Sequence, residues 1–244
     1  MSKVAFVVLC SLAAAMAMPP KLGRVMGGEI AEVGQFPFAA SLQFDGHHYC
    51  GVTILDEYTV ITVANCVLPN YPTRLKVVTG LNKISAGGEV HNIRTVLTHG
   101  RFAASLQYDI ALLKLVTPIT FNELAQPVKL PTGTTGSNAD VTMSGWGSTV
   151  YPGNVVDDLR YIDLKTMDYE KCNNRQSFQV FFNQICTLTK AGEGLCSGDA
   201  GAPLTSPDGT LVGIASWGTM CAVGDPDVYT SIYHFLDWIE TNRV

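Results

Sequence analysis

Between residues 38 and 116 the chain alternates short runs of β-branched and aliphatic residues with turn-forming ones, the runs falling at 38–44, 52–55, 59–63, 75–79 and 110–116. Runs of this length, spaced roughly ten residues apart, predict an all-β barrel or sandwich. After the turn-rich stretch 131–140 a second series follows at 141–144, 159–164, 184–187 and 211–216, and a soft boundary between two units is placed near Ala125. Only the tail reads as a helix: Ile232, Phe235, Leu236 and Ile239 share one stripe at helical spacing, predicting a helix over 232–244. No internal repeat interrupts this order.

The first 24 residues do not belong to that pattern. Lys3, the apolar run 4–12 and the small-x-small triplet Ala15-Met16-Ala17 have the form of a secretion signal over 1–17. The run is too short to span a membrane, and no later segment approaches the roughly 18 apolar residues that a spanning helix needs. Residues 18–24 form a short propeptide ending in Arg24. Cys10 leaves with the signal, so Cys50, Cys66, Cys172, Cys186, Cys196 and Cys221 remain. An even number in an oxidising compartment reads as three disulfides, with about fifteen pairings open on counting alone. No CxxC pair occurs and the histidines are scattered, so no metal or other cofactor is expected. Removing residues 1–24 takes away Lys3, Lys21 and Arg24 and no acid, which moves the net charge from −5 to −8. Such a balance argues against nucleic acid and anionic membranes as partners.

Candidate chemistry gathers at Gly194-Leu195-Cys196-Ser197-Gly198-Asp199-Ala200-Gly201-Ala202-Pro203. This stretch resembles the GDSGGP loop that carries the nucleophile of trypsin- and chymotrypsin-like serine proteases. Other motifs agree: Thr62-Val63-Ala64-Asn65-Cys66 against TAAHC, Asp109-Ile110-Ala111-Leu112-Leu113 against DIALL, Ser144-Gly145-Trp146-Gly147 against the GWG turn, and Ser216-Trp217-Gly218 against SWG. The junction Arg24-Val25-Met26-Gly27-Gly28 matches the activation site R-IVGG, so the resemblance covers nearly all of 25–244. It implies two six-stranded antiparallel β-barrels with a C-terminal helix, and disulfides Cys50–Cys66, Cys172–Cys186 and Cys196–Cys221. It also implies cleavage after Arg24, with the freed Val25 folding inward to pair with Asp199.

The same alignment exposes departures. Ala200 stands where the family has its serine, and a methyl group offers no atom to attack a carbonyl. Asn65 stands where the family has histidine, and an amide exchanges no proton near neutral pH. Asp109 remains, as an acceptor for Asn65 or the backbone. No other histidine replaces the lost base: His48 matches a position that helps hold the zymogen, His91 and His99 are expected at the surface, and His47 and His234 lie elsewhere. The backbone N–H groups of Gly198 and Ala200 occupy the places of the oxyanion hole, and the strand Ser216, Trp217, Gly218 is positioned to pair with an extended peptide. In the specificity pocket, Gly194 replaces the acidic floor of trypsins, while Asp227 is expected on the facing wall, moving the charge across the pocket and favouring basic or small ligands. Leu195 and Met220 add bulk there, and the methyl of Ala202, where the family has glycine, threatens to crowd the loop.

The resemblance therefore implies a secreted serine protease homologue without catalysis. It is expected to act as a monomer by binding proteins or peptides, such as proteases, inhibitors or host defence proteins, as decoy, cofactor or inhibitor. An arthropod source is expected. An active endopeptidase with an unusual nucleophile, and a bulk secreted protein with no specific partner, stand as the alternatives.

Overall fold

The computed structural model describes residues 26–68, 73–188, 190–219 and 221–243. The signal, the propeptide, Arg24, Val25 and Met220 lie outside the described residues. Six strands close a first barrel: β2 Ala39–Phe44, β3 His47–Ile54, β4 Thr59–Thr62, β5 Leu75–Thr79, β6 Glu89–Thr98 and β7 Ala111–Leu115, in the order β2-β3-β4-β7-β6-β5. A second ring follows from β8 Asp140–Gly145, β9 Arg160–Met167, β10 Gln184–Leu188, β11 Pro203–Thr205, β12 Leu211–Trp217 and β13 Asp227–Ser231, ordered β9-β10-β13-β12-β11-β8 and closed by pairing of β8 with β9. The short β1, Glu29–Ile30, adds to β9. All named pairs are antiparallel, as two barrels built from hairpins require. Asp45 and Gly46, at φ 49° and 82°, give the β2–β3 connection the left-handed two-residue turn that matches strand twist.

The strands that periodicity misses are polar or very short. β6 is exposed or half-buried at all positions but His91, β11 has three residues beginning with Pro203, and β13 starts on a buried aspartate. A helix α1, Tyr169–Arg175, also lacks an apolar stripe; its start is fixed by the Asp168 side chain, which accepts the N–H groups of Glu170 and Lys171. The C-terminal helix α2 spans Leu236–Asn242, because its first turn, Tyr233–Phe235, is 3₁₀. Its Ile239, with Ile232 and Phe235, packs onto the core of the first barrel.

Two histidines depart from the sequence expectation of surface exposure. His91 is fully buried on β6, its ring between the hydroxyls of Thr79, at 3.1 Å, and Thr117, at 3.2 Å. Those two hydroxyls satisfy both ring nitrogens, which is how an imidazole tolerates an apolar interior. His99 is half-buried, stacked 4.9 Å from Tyr108 and flanked by Phe235 and Trp238.

A functional site between the barrels

Disulfides join Cys50 to Cys66, Cys172 to Cys186 and Cys196 to Cys221. The first ties β3 to the 3₁₀ turn Ala64–Cys66, which leaves β4 and presents Asn65 to solvent. Asp109 precedes β7 and is fully buried. Its Oδ1 accepts the backbone N–H of Asn65 at 2.8 Å, and its Oδ2 accepts the Ser216 hydroxyl of the second barrel at 2.6 Å. The Thr230 hydroxyl donates to its carbonyl at 2.6 Å. Burial raises the Asp109 carboxyl to about 6, against the lowering effect of these donors. Asp109 is thus a polar seam between the two barrels.

The loop 194–203 is held on both sides. Its Asp199, fully buried, accepts the N–H of Gly147 at 2.9 Å and of Cys196 at 3.0 Å, and burial raises it to about 7. Gly51 donates to the Ala200 carbonyl at 2.7 Å, and Gly201 to Ala215 at 2.7 Å. Gly198 lies at φ +96°, where a Cβ would come within 2.6 Å of the Val155 side chain. Among the described residues, the N–H groups of Gly198 and Ala200 meet no acceptor. Ala202 does not crowd the loop: it is 1% exposed, donates to Asp199 and accepts from Ala215, both at 2.9 Å, and it faces Gly51, which has no side chain to collide with.

His48, buried beneath the loop, bonds to the Ser41 hydroxyl at 2.8 Å and the Gly198 carbonyl at 3.0 Å. A carbonyl only accepts, so Nε2 carries the proton and Nδ1 accepts from Ser41. Burial depresses this histidine to about 4 and keeps it neutral. Trp146 of the GWG turn is 1% exposed and packs with Ala39, Val78 and Leu159, its ring 5.7 Å from His48. Met26 pairs with Gly194, whose N–H donates to its carbonyl at 3.0 Å.

A cavity of about 240 Å³ opens beside Ala200, lined by Leu195, Cys196, Ser197, Ser216, Trp217, Gly218, Cys221 and Tyr151. Asp227 is not among these lining residues. Its Oδ2 accepts the Leu195 N–H at 2.8 Å, and its Oδ1 sits behind Gly218, leaving the residue 2% exposed. Burial, and secondarily the neighbouring charge of Asp199, raises its carboxyl to about 7. Gly194 is likewise buried, turned toward Met26. Across Trp217 lies a second, more apolar cavity of about 420 Å³, bounded by Leu106, Phe178 and Phe181 among others. Sequence reasoning missed Tyr151, Phe178 and Phe181. The clustering of three phenylalanines within 178–182 is a signal for the latter pair, whereas Tyr151 lies in a loop with no periodicity to mark it.

Two closed antiparallel barrels, bridged by a buried aspartate and clasping a disulfide-anchored loop beside a cavity, define a protein of trypsin-like architecture. Residues 25–239 match the family described as Trypsin, and the chain belongs to that family. Relatives include Chymotrypsin-2 of Vespa crabro, 35% identical over 90% of this chain and 100% of its own length. Hypodermin-A of Hypoderma lineatum is 35% identical over 90% and 88%, and Trypsin alpha-4 of Lucilia cuprina 34% identical over 94% and 92%.

Proposed function

We propose that this chain is a secreted, non-catalytic member of the trypsin family that binds extended segments of other proteins in the groove between the barrels, as decoy, cofactor or inhibitor. The observation that carries the reading is the pair of side chains at positions 65 and 200, on a turn and a loop that meet where Cys66 contacts the Ala200 carbonyl. They are the Asn65 amide and the Ala200 methyl, neither of which transfers a proton or attacks a carbonyl. Around them the means of binding persist: N–H groups of Gly198 and Ala200 that meet no acceptor among the described residues, the end of β12 at Trp217 with the adjoining Gly218, and two cavities on either side of Trp217. Buried Asp199 supports processing after Arg24, since the amino group of Val25, one residue before the Met26–Gly194 pair, would supply the cation that a desolvated carboxylate lacks.

Restoration of both side chains tests this. Asn65→His with Ala200→Ser, processed after Arg24, is expected to show a burst of acyl-enzyme with an activated ester and turnover about a thousandfold above the unaltered chain. Either change alone is expected to do little, because nucleophile and base act as a unit. The names of the relatives favour proteolysis as the other reading; turnover by the unaltered chain that survives removal of contaminating proteases decides for it.

A further inference from the structure

We infer that the groove ends in a carboxylate-capture site, and that this chain binds the C-terminal carboxylate of peptides already cut by proteases. The inference rests on the binding reading above and names its ligand. One carboxylate oxygen takes the N–H groups of Gly198 and Ala200, and the other takes the side-chain amide of Asn65.

Asn65 directly precedes Cys66, whose Sγ lies 3.6 Å from the Ala200 carbonyl oxygen and whose disulfide partner Cys50 is adjacent to Gly51, which donates to that same carbonyl at 2.7 Å. The Asn65 backbone is pinned by Asp109, while its side chain is exposed and makes no hydrogen bond among the described residues. The corner therefore offers donors from three groups. An internal peptide carbonyl presents one oxygen and satisfies only part of this set; a terminal carboxylate presents two, and bonds to a charged acceptor are the stronger ones. Ala200 carries no heavy atom beyond Cβ, which leaves room for the second oxygen. Backbone N–H groups in a left-handed turn are a recurrent means of holding a terminal carboxylate.

Nearby negative charge weighs against an anion, and here none of it, among the described residues, lines the cavity. Asp109 has both carboxylate oxygens taken by donors, as does Asp199, and Asp227 is turned behind Gly218 with one oxygen on Leu195. The cavity that receives the last side chain is lined, among the described residues, by no charged group, so a neutral last residue fits.

Three pools of fluorescein-labelled tetrapeptides, randomised over neutral residues at the last two positions, test the inference on the mature protein. One pool ends in a free carboxylate, one in a carboxamide, and one continues into a Gly-Gly amide. The free-acid pool is expected to bind at least about tenfold more tightly than the other two. Asn65→Asp is expected to weaken the acid pool at least about tenfold and to leave the amide pool within about twofold. Equal binding of all three pools overturns the carboxylate site and leaves the groove standing, whereas binding of none removes the groove reading as well. An acid preference that survives Asn65→Asp overturns the role of that amide.

Discussion

The two barrels share a strand count and differ in what they bury. In the first, Leu42, Val52, Ile54, Ile61, Leu112 and Leu113 are all fully buried in one apolar cluster that reaches from the β2–β3 hairpin to α2. The apolar cluster of the second, around Val141, Met143, Leu204 and Tyr229, is smaller, and the same barrel and its loop bury the carboxylates of Asp199 and Asp227. Buried polar atoms without a partner among the described residues, such as the Asn183 amide and the Trp217 indole N–H, add to that load. Polar burial costs stability unless it is paired. The difference teaches that the first barrel is the apolar buttress and that the second supplies the walls of the cavity beside Ala200, with perturbed acids buried behind them.

Truncation of matched core leucines should break or confirm this contrast with the largest effect. Leu112 lies between Ile61 on β4, fully buried and stiff at χ1, and Leu97 on β6. Leu204 lies between Met143 and Gly213, and a methionine re-packs readily. Leu112→Ala is expected to cost about 4 kcal/mol and Leu204→Ala about 2 kcal/mol, the two ends of the usual range for such changes. Denaturant unfolding measures both, and an equal or reversed order would remove the contrast.

Titration should act on the second barrel and the seam. Asp109, Asp199 and Asp227 hold their protons to about pH 6, 7 and 7 in the folded chain and release them near 3.8 when unfolded. The folded state therefore binds protons that the unfolded chain does not, so this stability is complete at low pH and is lost as pH rises toward 7. His48 runs the other way: with a folded value of about 4 against 6.5, its contribution is complete above pH 6.5 and is lost as pH falls. Three carboxyls outweigh one imidazole, and the chain is expected to be about 4 kcal/mol more stable at pH 5 than at pH 8, or roughly 10 °C in melting temperature. A higher melting temperature at pH 8 would contradict the carboxyl values. Processing after Arg24 should reduce the difference, by giving Asp199 a cation.

Legibility followed the same division. The runs at 38–44 and 110–116 are strands because their apolar residues point into a uniform core, and pattern alone finds them. Motif spacing put Asn65, Asp109 and Ala200 in one neighbourhood, which the hydrogen bonds from Asn65 and Ser216 to Asp109 and the contact of Cys66 with Ala200 describe. What pattern missed was set by tertiary contacts. Strand β13 begins on an aspartate whose burial depends on the distant Leu195 N–H, His91 is interior because two threonines meet its ring, and Tyr151 reaches the cavity from a loop. Direction was lost too, since spacing put Asp227 beside the pocket and not on which side of Gly218 its carboxylate would lie.

That orientation yields the smallest predicted effect. Asp227→Asn keeps an oxygen to accept the Leu195 N–H and changes volume hardly at all, so at pH 3, where the carboxyl holds its proton in the folded and the unfolded chain alike, stability is expected to shift by less than about 0.5 kcal/mol. At pH 8 the native side chain is a desolvated anion with one backbone donor and Asp199 nearby, and the neutral amide removes that cost. A gain of about 1 kcal/mol at pH 8, with a flatter pH profile, is therefore expected from thermal melts of the two chains. If the carboxylate faced the cavity and water instead, the substitution would leave the profile unchanged, and the second barrel would have one fewer buried charge to set it apart from the first.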